Sequence, residues 1–417
     1  MQIAVDAFAE NRYLALTSLG SHVANAELPD MDYAHTNSYW DYLKIDALLQ
    51  LQRGRENKGL HHHDEALFII VHQVFELWFN LILHELRAVK RFLDNELEDV
   101  DGRKDAGSTL VAVNRVNRAC TIMKIATQGF EVMETMDPVD FLEFRDYLTP
   151  ASGFQSVQMR EMEILLGLKE SDRIEHNKCT YREAFVTGLV DKTPKFDKAI
   201  EDGSLRDSLY AWVLRLDIAE TDQFFSDFMN AKRSVHEARL SELNERKTTV
   251  QLLLERKANE LGTHASILND LVRKEVRAVD QMILEHQGQM KWLNDFFEPT
   301  PEPGQSEKEA ANQGRARKIC LLLMTFATTP PAGREVWGEW AKVIDGLIQF
   351  EQMMLMWRHR HPRMVERMIG RRPGTGGSSG VDYLDSTAQY RVYRDLWNIR
   401  AIVIAPSKLP KFDISSA

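Results

Sequence analysis

Two histidines lie close together in a methionine-rich segment near the carboxyl end of the chain. His361 fills the one gap in an apolar stripe that recurs in steps of three and four residues, at Phe350, Met354, Trp357, Val365 and Met368. His359 lies about 200° around the same helix, by the 3.6-residue period, next to Arg358 and Arg360. The pattern predicts that His361 faces the interior and His359 faces out. A single imidazole on such a face suits axial ligation of haem iron, and a packed core histidine fits the same pattern.

A further histidine lies in an apolar helical segment nearer the amino end. His72 follows Phe68 by one turn and precedes Glu76 by one turn, so the three side chains share a helix face. Asp64 and Glu65 place negative charge in the first turn of this helix, where the helix dipole favours it. The segment is apolar on most of its circumference, which predicts burial on nearly every side. His72 is then either a ligand-facing group or a core histidine bonded to a backbone or carboxylate group.

An arginine and a glycine-rich loop are candidates for binding a charged ligand. Arg145 lies among aromatic residues in the segment that begins at Phe144, where its planar guanidinium suits a carboxylate ligand or a structural salt bridge. The segment from Gly374 to Gly380 carries four glycines in seven residues. Its amides could approach a ligand closely, or it could be a flexible linker. It lacks the Lys-Ser/Thr pair of a Walker loop.

The run of three histidines and the cysteines are not spaced like the ligands of a metal site. His61, His62 and His63 are consecutive, so their side chains point in different directions and do not match a zinc motif. The cysteines are odd in number and widely separated, at Cys120, Cys179 and Cys320. This usage is typical of reduced thiols in an intracellular protein.

The elements that carry these residues are predicted to be helices. Helical periodicity dominates and no run alternates with period two, so we expect an all-α helical bundle. The periodicity predicts long helices over 64–94, 108–134, 205–297, 318–328, 333–370 and 382–398. Pro362 predicts a kink immediately after His361. We interpret residues 1–417 as a single domain, with 1–35 an irregular amino-terminal arm and 230–318 a helical insertion that includes a proline-rich linker at 298–305.

Composition restricts the class of protein. The 417 residues include 62 acidic and 52 basic side chains, which leaves a net charge of −10. This charge excludes the broad basic surface of a nucleic-acid-binding protein. The amino terminus has no signal-peptide pattern, and apolar runs such as 67–71 are too short to cross a bilayer. We therefore expect a cytoplasmic protein that binds neither nucleic acid nor membrane.

Taken together, these segments resemble the tryptophan 2,3-dioxygenase family. The similar blocks occur in the family's order and extend from Tyr39 to Ile402, namely Tyr39 to Leu49, His63 to Trp78, Phe144 to Gln158, Trp357 to Met368 and Gly374 to Gly380. The resemblance implies an all-helical haem dioxygenase that binds haem b and forms a homotetramer. It also implies cleavage of the indole C2–C3 bond of L-tryptophan with O₂ to give N-formyl-L-kynurenine, the entry step of kynurenine catabolism.

The resemblance assigns roles to residues of this chain by position. His361 corresponds to the proximal iron ligand, and Ser152 to a small polar residue at the haem edge. His72 corresponds to the distal catalytic histidine that bonds the indole N–H. Tyr39 and Tyr42 correspond to aromatic residues that complete the pocket of a neighbouring subunit.

Further positions correspond to substrate contacts. Phe68 and Leu148 match walls of the indole pocket. Arg145 matches the residue that binds the substrate carboxylate, and Thr375 matches a hydroxyl that contacts the amino-acid head group from a closing loop.

The chain departs from the family pattern at Pro362, at Asn80 and in the linker 298–305, and residues 1–35 have no usable match. Two alternatives remain: a haem monooxygenase of the same superfamily that acts on an aromatic amino acid, and a haem sensor without turnover. The combination of aromatic wall, distal histidine, arginine and glycine loop favours the dioxygenase.

Overall fold

The computed structural model describes residues 38–52, 62–95, 109–149, 151, 153–173, 193–258, 265–375 and 380–409. In these ranges every regular element is a helix and none is a strand. The predicted all-α fold is therefore confirmed. The chain divides into two compact units, residues 1–61 and 62–417. The predicted arm at 1–35 lies outside the described residues.

The described part of the first unit contains two short helices, α1 (Tyr39–Tyr42) and α2 (Ile45–Leu48). Ser38 caps α1, because its hydroxyl accepts a hydrogen bond from the amide of Asp41 at 3.1 Å. Tyr39 and Tyr42 are 76% and 63% exposed. Both rings are therefore available for contact with another surface.

The second unit is built from α-helices of very different lengths. In chain order they are α3 (His63–Asp94), α4 (Thr109–Met133), α5 (Pro138–Arg145), α6 (Val157–Leu166), α7 (Thr193–Glu201), α8 (Leu205–Arg215), α9 (Thr221–Ala258), α10 (Ala265–Phe297), α11 (Glu307–Thr325), α12 (Val336–Ile369), α13 (Val381–Thr387) and α14 (Arg394–Ile402). Short 3₁₀ turns at Asp146–Leu148 and Gly153–Gln155 lie between α5 and α6. Two more, Glu170–Asp172 and Pro406–Lys408, follow α6 and α14.

The predicted long helices agree with these bounds except in three regions. The helix predicted at 318–328 begins earlier, at Glu307, because Ser306 and Glu309 form a capping box there. The stretch 205–297 contains three helices, because the chain turns between α8 and α9 and α9 ends at Ala258. Asp217 lies in the turn between α8 and α9 and has a φ of 41°, which is outside the right-handed helical region, so the helix ends there. The stretch 382–398 contains α13 and α14. The insertion at 230–318 remains a prediction. The helix α9 begins at Thr221 and continues through residue 230 without a break.

The core of the second unit is formed where α4 packs against α3 and α12. Glycines permit the close approach of these helices. A Cβ atom on Gly346 would lie 2.9 Å from Val116 Cγ1, and one on Gly129 would lie 2.6 Å from Phe75 Cε1. Helix α12 runs continuously through the buried Pro362.

Two helices form a hairpin on which few core residues lie. Helices α9 and α10 pack side by side in antiparallel order, and ion pairs join Arg246 to Glu275 at 2.5 Å and Lys247 to Asp280 at 2.6 Å. This agrees with the helical hairpin expected from the charged sequence of the region.

One face of α3 is apolar and exposed. Ile70, Val74, Leu77 and Leu81 follow one another at spacings of four, three and four residues, and each is 36–56% exposed. The prediction that this helix is buried on nearly every side is wrong for the single chain, because the described helices that pack on it, α4, α5, α6 and α8, cover only part of its circumference. By length and composition alone α3 could also cross a membrane, a test that the core helix of a soluble protein passes too.

Candidate active site

A large cavity lies among α3, α4, α5, α6, α12 and α13. It has about 1630 Å³ of space free of protein atoms, its open mouth included. Aromatic and aliphatic side chains form most of its wall, among them Phe68, Phe75, Phe79, Phe130, Phe141, Leu148, Met364 and Val365. His72 and His361 both line this cavity, together with Arg145 and Thr375. The fold therefore brings together most of the residues chosen from the sequence.

His361 lies on the wall contributed by α12. Its ring stacks on Phe130, with 5.3 Å between ring centroids and 8° between ring planes. Burial lowers the pKa of His361 to about 4, and the neighbouring His72 and Arg160 act in the same direction. The imidazole is therefore neutral at physiological pH and has a nitrogen lone pair for a metal. His359 is exposed, which confirms the predicted orientations of the two histidines.

His72 lies on the wall contributed by α3. Its Nδ1 is 2.7 Å from the carbonyl oxygen of Phe68, and its ring lies 4.1 Å from the Phe68 ring. A carbonyl can only accept, so Nδ1 carries the proton and Nε2 remains a hydrogen-bond acceptor. Burial lowers the pKa of His72, although the Phe68 carbonyl and Glu76 oppose that effect. The sequence left open whether His72 faces a ligand or is bonded to the backbone in the core. The structure shows that it is bonded to the backbone and also lines the cavity.

Arg145, the last residue of α5, and Thr375, in the segment after α12, line the cavity from two neighbouring parts of the chain. The Arg145 guanidinium donates to the carbonyl of Pro373, and its Nη1 lies 3.8 Å from the carboxylate of Asp146. The Thr375 hydroxyl donates to the carbonyl of Ala151 at 2.6 Å. These two bonds hold the start of the glycine-rich segment against the connection between α5 and α6.

The other predicted site residues are placed as follows. Phe68 and Leu148 line the cavity. Ser152 and residues 376–379 lie outside the described residues. Tyr39 and Tyr42 belong to the first unit, where they are exposed.

The sequence patterns missed a charge cluster on the cavity wall. Glu163 is 3% exposed, and its carboxylate lies 2.6 Å from Arg173, 2.9 Å from Arg358 and 3.1 Å from Arg160. Burial alone would raise the pKa of Glu163, but the three guanidinium groups hold it at about 2. Glu163, Arg160 and Arg358 all line the cavity.

Helical periodicity misplaced one member of this cluster. It grouped Arg358 with the outward-facing His359, yet the side chain of Arg358 is only 10% exposed. A buried guanidinium is tolerated here because Glu163, from a different helix, meets it. Two sequence features could have indicated this cluster. Arg160 and Glu163 are three residues apart on one helix, and Arg358 and His361 have the same spacing on another.

The cavity residues fit haem better than a bare metal ion. Within the described ranges, no group of three or more His, Cys, Asp or Glu residues could hold a metal ion. His361 offers one neutral imidazole beside apolar walls, which is the environment of an axial haem ligand. Arg160 adds positive charge at the wall, which suits the carboxylates of a porphyrin.

Comparisons with known proteins agree with this geometry. A family profile described as tryptophan 2,3-dioxygenase matches residues 24–287 and 319–403. The chain is 36% identical to tryptophan 2,3-dioxygenase 2 of Ralstonia nicotianae over 390 residues, which cover 89% of this chain and 95% of that protein. It is 36% identical to the enzyme of Sorangium cellulosum over 392 residues, 91% of this chain and 86% of the relative. For the enzyme of Xenopus tropicalis the identity is 30% over 381 residues, 90% and 84% of the two chains. This chain therefore belongs to the tryptophan 2,3-dioxygenase family.

Proposed function

We propose that this protein is a haem-dependent dioxygenase that cleaves the indole C2–C3 bond of L-tryptophan with O₂ to give N-formyl-L-kynurenine. One observation carries the proposal: a neutral imidazole suited to iron, His361, shares an aromatic cavity with a second neutral imidazole, His72, in a chain of this family. Family membership supports ring cleavage over insertion of a single oxygen atom and over a sensor without turnover.

The cofactor of this reaction is haem b, a group on which the family depends. His361 would hold the iron, and Arg160 would supply positive charge for the porphyrin carboxylates. Ser152 belongs at the haem edge by resemblance alone. When bound, haem supplies the oxygen binding and electron transfer that ring opening needs. The protein contributes the position of the substrate and the exclusion of water.

The substrate is held by groups at both of its ends. The indole ring packs against Phe68 and Leu148, and the Nε2 of His72 accepts a hydrogen bond from the indole N–H. Arg145 binds the carboxylate with guanidinium N–H groups that its bond to Pro373 does not use, because the guanidinium has five donors. Thr375, which lines the cavity at the start of the glycine-rich segment, contacts the amino-acid head group.

The exposed apolar face of α3 supports a homotetramer. The side chains at 70, 74, 77 and 81 form a stripe with the spacing of a helix–helix interface. A second copy of the chain covers this stripe in our proposal. The exposed rings of Tyr39 and Tyr42 then complete the pocket of a neighbouring subunit, as the resemblance implies.

We assign the protein to the cytoplasm and treat α3 as an interface helix outside any membrane. The support is the charge that α3 carries within its length. The buried Glu85 of α3 pairs with Arg118 of α4 at 2.8 Å, and Arg87 pairs with Glu161 of α6. Both pairs join α3 to helices of the same unit. Recovery of the protein in the soluble fraction of cells, without detergent, tests this assignment.

The test of the proposed function is a comparison of two histidine variants. His361→Ala should abolish the haem absorption of an axially ligated imidazole and the turnover of L-tryptophan, whereas His359→Ala should retain both. The product of the wild-type protein should exceed tryptophan in mass by two oxygen atoms. Incorporation of one oxygen atom, or normal haem absorption in His361→Ala, would refute the assignment.

A further inference from the structure

The α9–α10 hairpin carries a pair of histidines that the proposed reaction does not use. His236 of α9 and His286 of α10 are separated by fifty positions in sequence, yet their Nδ1 atoms lie 3.3 Å apart. Their ring centroids are 5.3 Å apart and the ring planes meet at 48°. Both rings are half-buried, and neither lines the large cavity. Two imidazoles therefore converge through the same type of nitrogen on one point between two helices.

The separation of the two nitrogens matches that of two ligands on one metal ion. Zinc–imidazole bonds are about 2.0–2.1 Å long and the preferred geometry is tetrahedral. Two nitrogens bound to one ion at the tetrahedral angle are then about 3.3–3.4 Å apart. The same separation is within the range of a direct hydrogen bond between the two rings. The spacing therefore suits a shared ion as well as a shared proton.

The surrounding hairpin fixes this spacing in advance. Toward the end of α9 and the start of α10, the ion pairs Arg246–Glu275 and Lys247–Asp280 join the two helices. Toward the core, the rings of Phe228 and Phe297 pack with centroids 6.3 Å apart. The register that brings the histidines together is therefore set by contacts on both sides of them, so little backbone ordering is needed to bind an ion.

The local charges also permit a cation. Burial and, after it, the neighbouring His286 lower the pKa of His236, whereas the negative charge of Glu237 acts in the opposite direction. The nearest lysine one turn away, Lys232, is directed over the Phe228 ring at 5.5 Å from its centroid. No lysine of this turn therefore points its ammonium group into the space between the two imidazoles.

We propose that His236 and His286 form a binding site for a divalent transition-metal ion of the zinc, copper and nickel class, which clamps the hairpin. The ion is bound by both Nδ1 atoms, and water molecules complete its coordination. The Nδ1 proton of the donor imidazole moves to its Nε2 as the ion binds, so both rings remain neutral. Imidazole ligands favour these ions over Mg²⁺ and Ca²⁺, which prefer oxygen ligands.

The experiment uses Zn²⁺ and the full-length, haem-loaded protein without a histidine tag. Zn²⁺ is removed with a chelator and then titrated by calorimetry. Hydrogen exchange is measured by mass spectrometry on peptides from α9 and α10 with and without the ion. The variants are His236→Gln and His286→Gln, and the matched control is His84→Gln, which alters an exposed histidine of α3.

Zn²⁺ should slow exchange around residues 236 and 286 in the wild type and in the control. Each hairpin variant should lose that protection and bind Zn²⁺ at least tenfold more weakly at this site. The wild-type measurement decides the question even if a variant folds poorly. Unchanged exchange in the wild-type hairpin at saturating Zn²⁺ would overturn the proposal, as would variants that retain the protection. Protection that depends on His84 would place the ion elsewhere and would overturn it as well.

Discussion

The buried carboxylate of Glu163 should make a large contribution to stability. We predict that Glu163→Gln lowers the free energy of unfolding at pH 7 by about 3 kcal/mol. A carboxyl whose pKa is about 2 instead of the ordinary 4.5 stabilises the folded state by about that amount, since one pKa unit corresponds to about 1.4 kcal/mol. Breaking a buried ion pair by removing one partner costs about 3–5 kcal/mol. Burial also lowers the pKa of Arg358, so we expect the lower end of that range.

The pH dependence has a definite sign. The pKa of Glu163 is depressed in the folded protein, so its stabilising contribution is complete above about pH 4.5 and is lost as the pH falls from there towards 2. Glutamine cannot titrate. The difference in stability between the wild type and Glu163→Gln should therefore shrink over this window.

The assay is urea unfolding followed by circular dichroism, at pH 7 and at several lower pH values. Glu161→Gln is the matched control, because Glu161 lies on the same helix but pairs with Arg87 near the surface, where the two side chains are 20% and 43% exposed. Such a pair contributes about 0–1 kcal/mol. If Glu163→Gln is destabilised no more than Glu161→Gln at pH 7, the reasoning about the buried charge cluster is refuted.

Three further substitutions test the cavity. His72→Ser should reduce the turnover of tryptophan about fivefold, because one hydrogen bond is worth about 1 kcal/mol, and should shift preference towards N-methylated indoles; a complete loss of turnover with intact haem absorption would contradict it. Arg145→Lys should raise the KM for tryptophan at least tenfold, because an ammonium group cannot form the planar bidentate pair with a carboxylate. The weak binding of tryptamine, which has no carboxylate, should be unchanged. Equal effects on both ligands would show that Arg145 does not bind the carboxylate. Gly129→Ala should lower the free energy of unfolding by about 1–3 kcal/mol, because the added Cβ would lie 2.6 Å from the Phe75 ring. That ring packs against Trp357 with centroids 4.9 Å apart, so it has little room to move. An unchanged Tm would mean that the Phe75 ring moves aside without cost.

Local sequence patterns determined the helical class and much of the site. Residues three and four apart share a helix face whatever the rest of the fold does. Periodicity therefore separated the exposed His359 from the cavity-lining His361 and placed His72 beside Phe68. The tight approach of α3 and α4 at Gly129 had no such signal, because it depends on where another helix lies.

The packing of the helices against one another sets which polar and apolar groups find partners. Glu163 and Arg358 are 195 positions apart in sequence, and nothing in the periodicity of α6 or α12 shows that they meet. The same holds for His236 and His286, whose spacing depends on the register of a hairpin. The α3 face around Leu77 is the opposite case, since an apolar composition predicted burial that none of the described helices provides. Burial is a property of the packed assembly of helices, and a periodic pattern specifies only the face that must be covered.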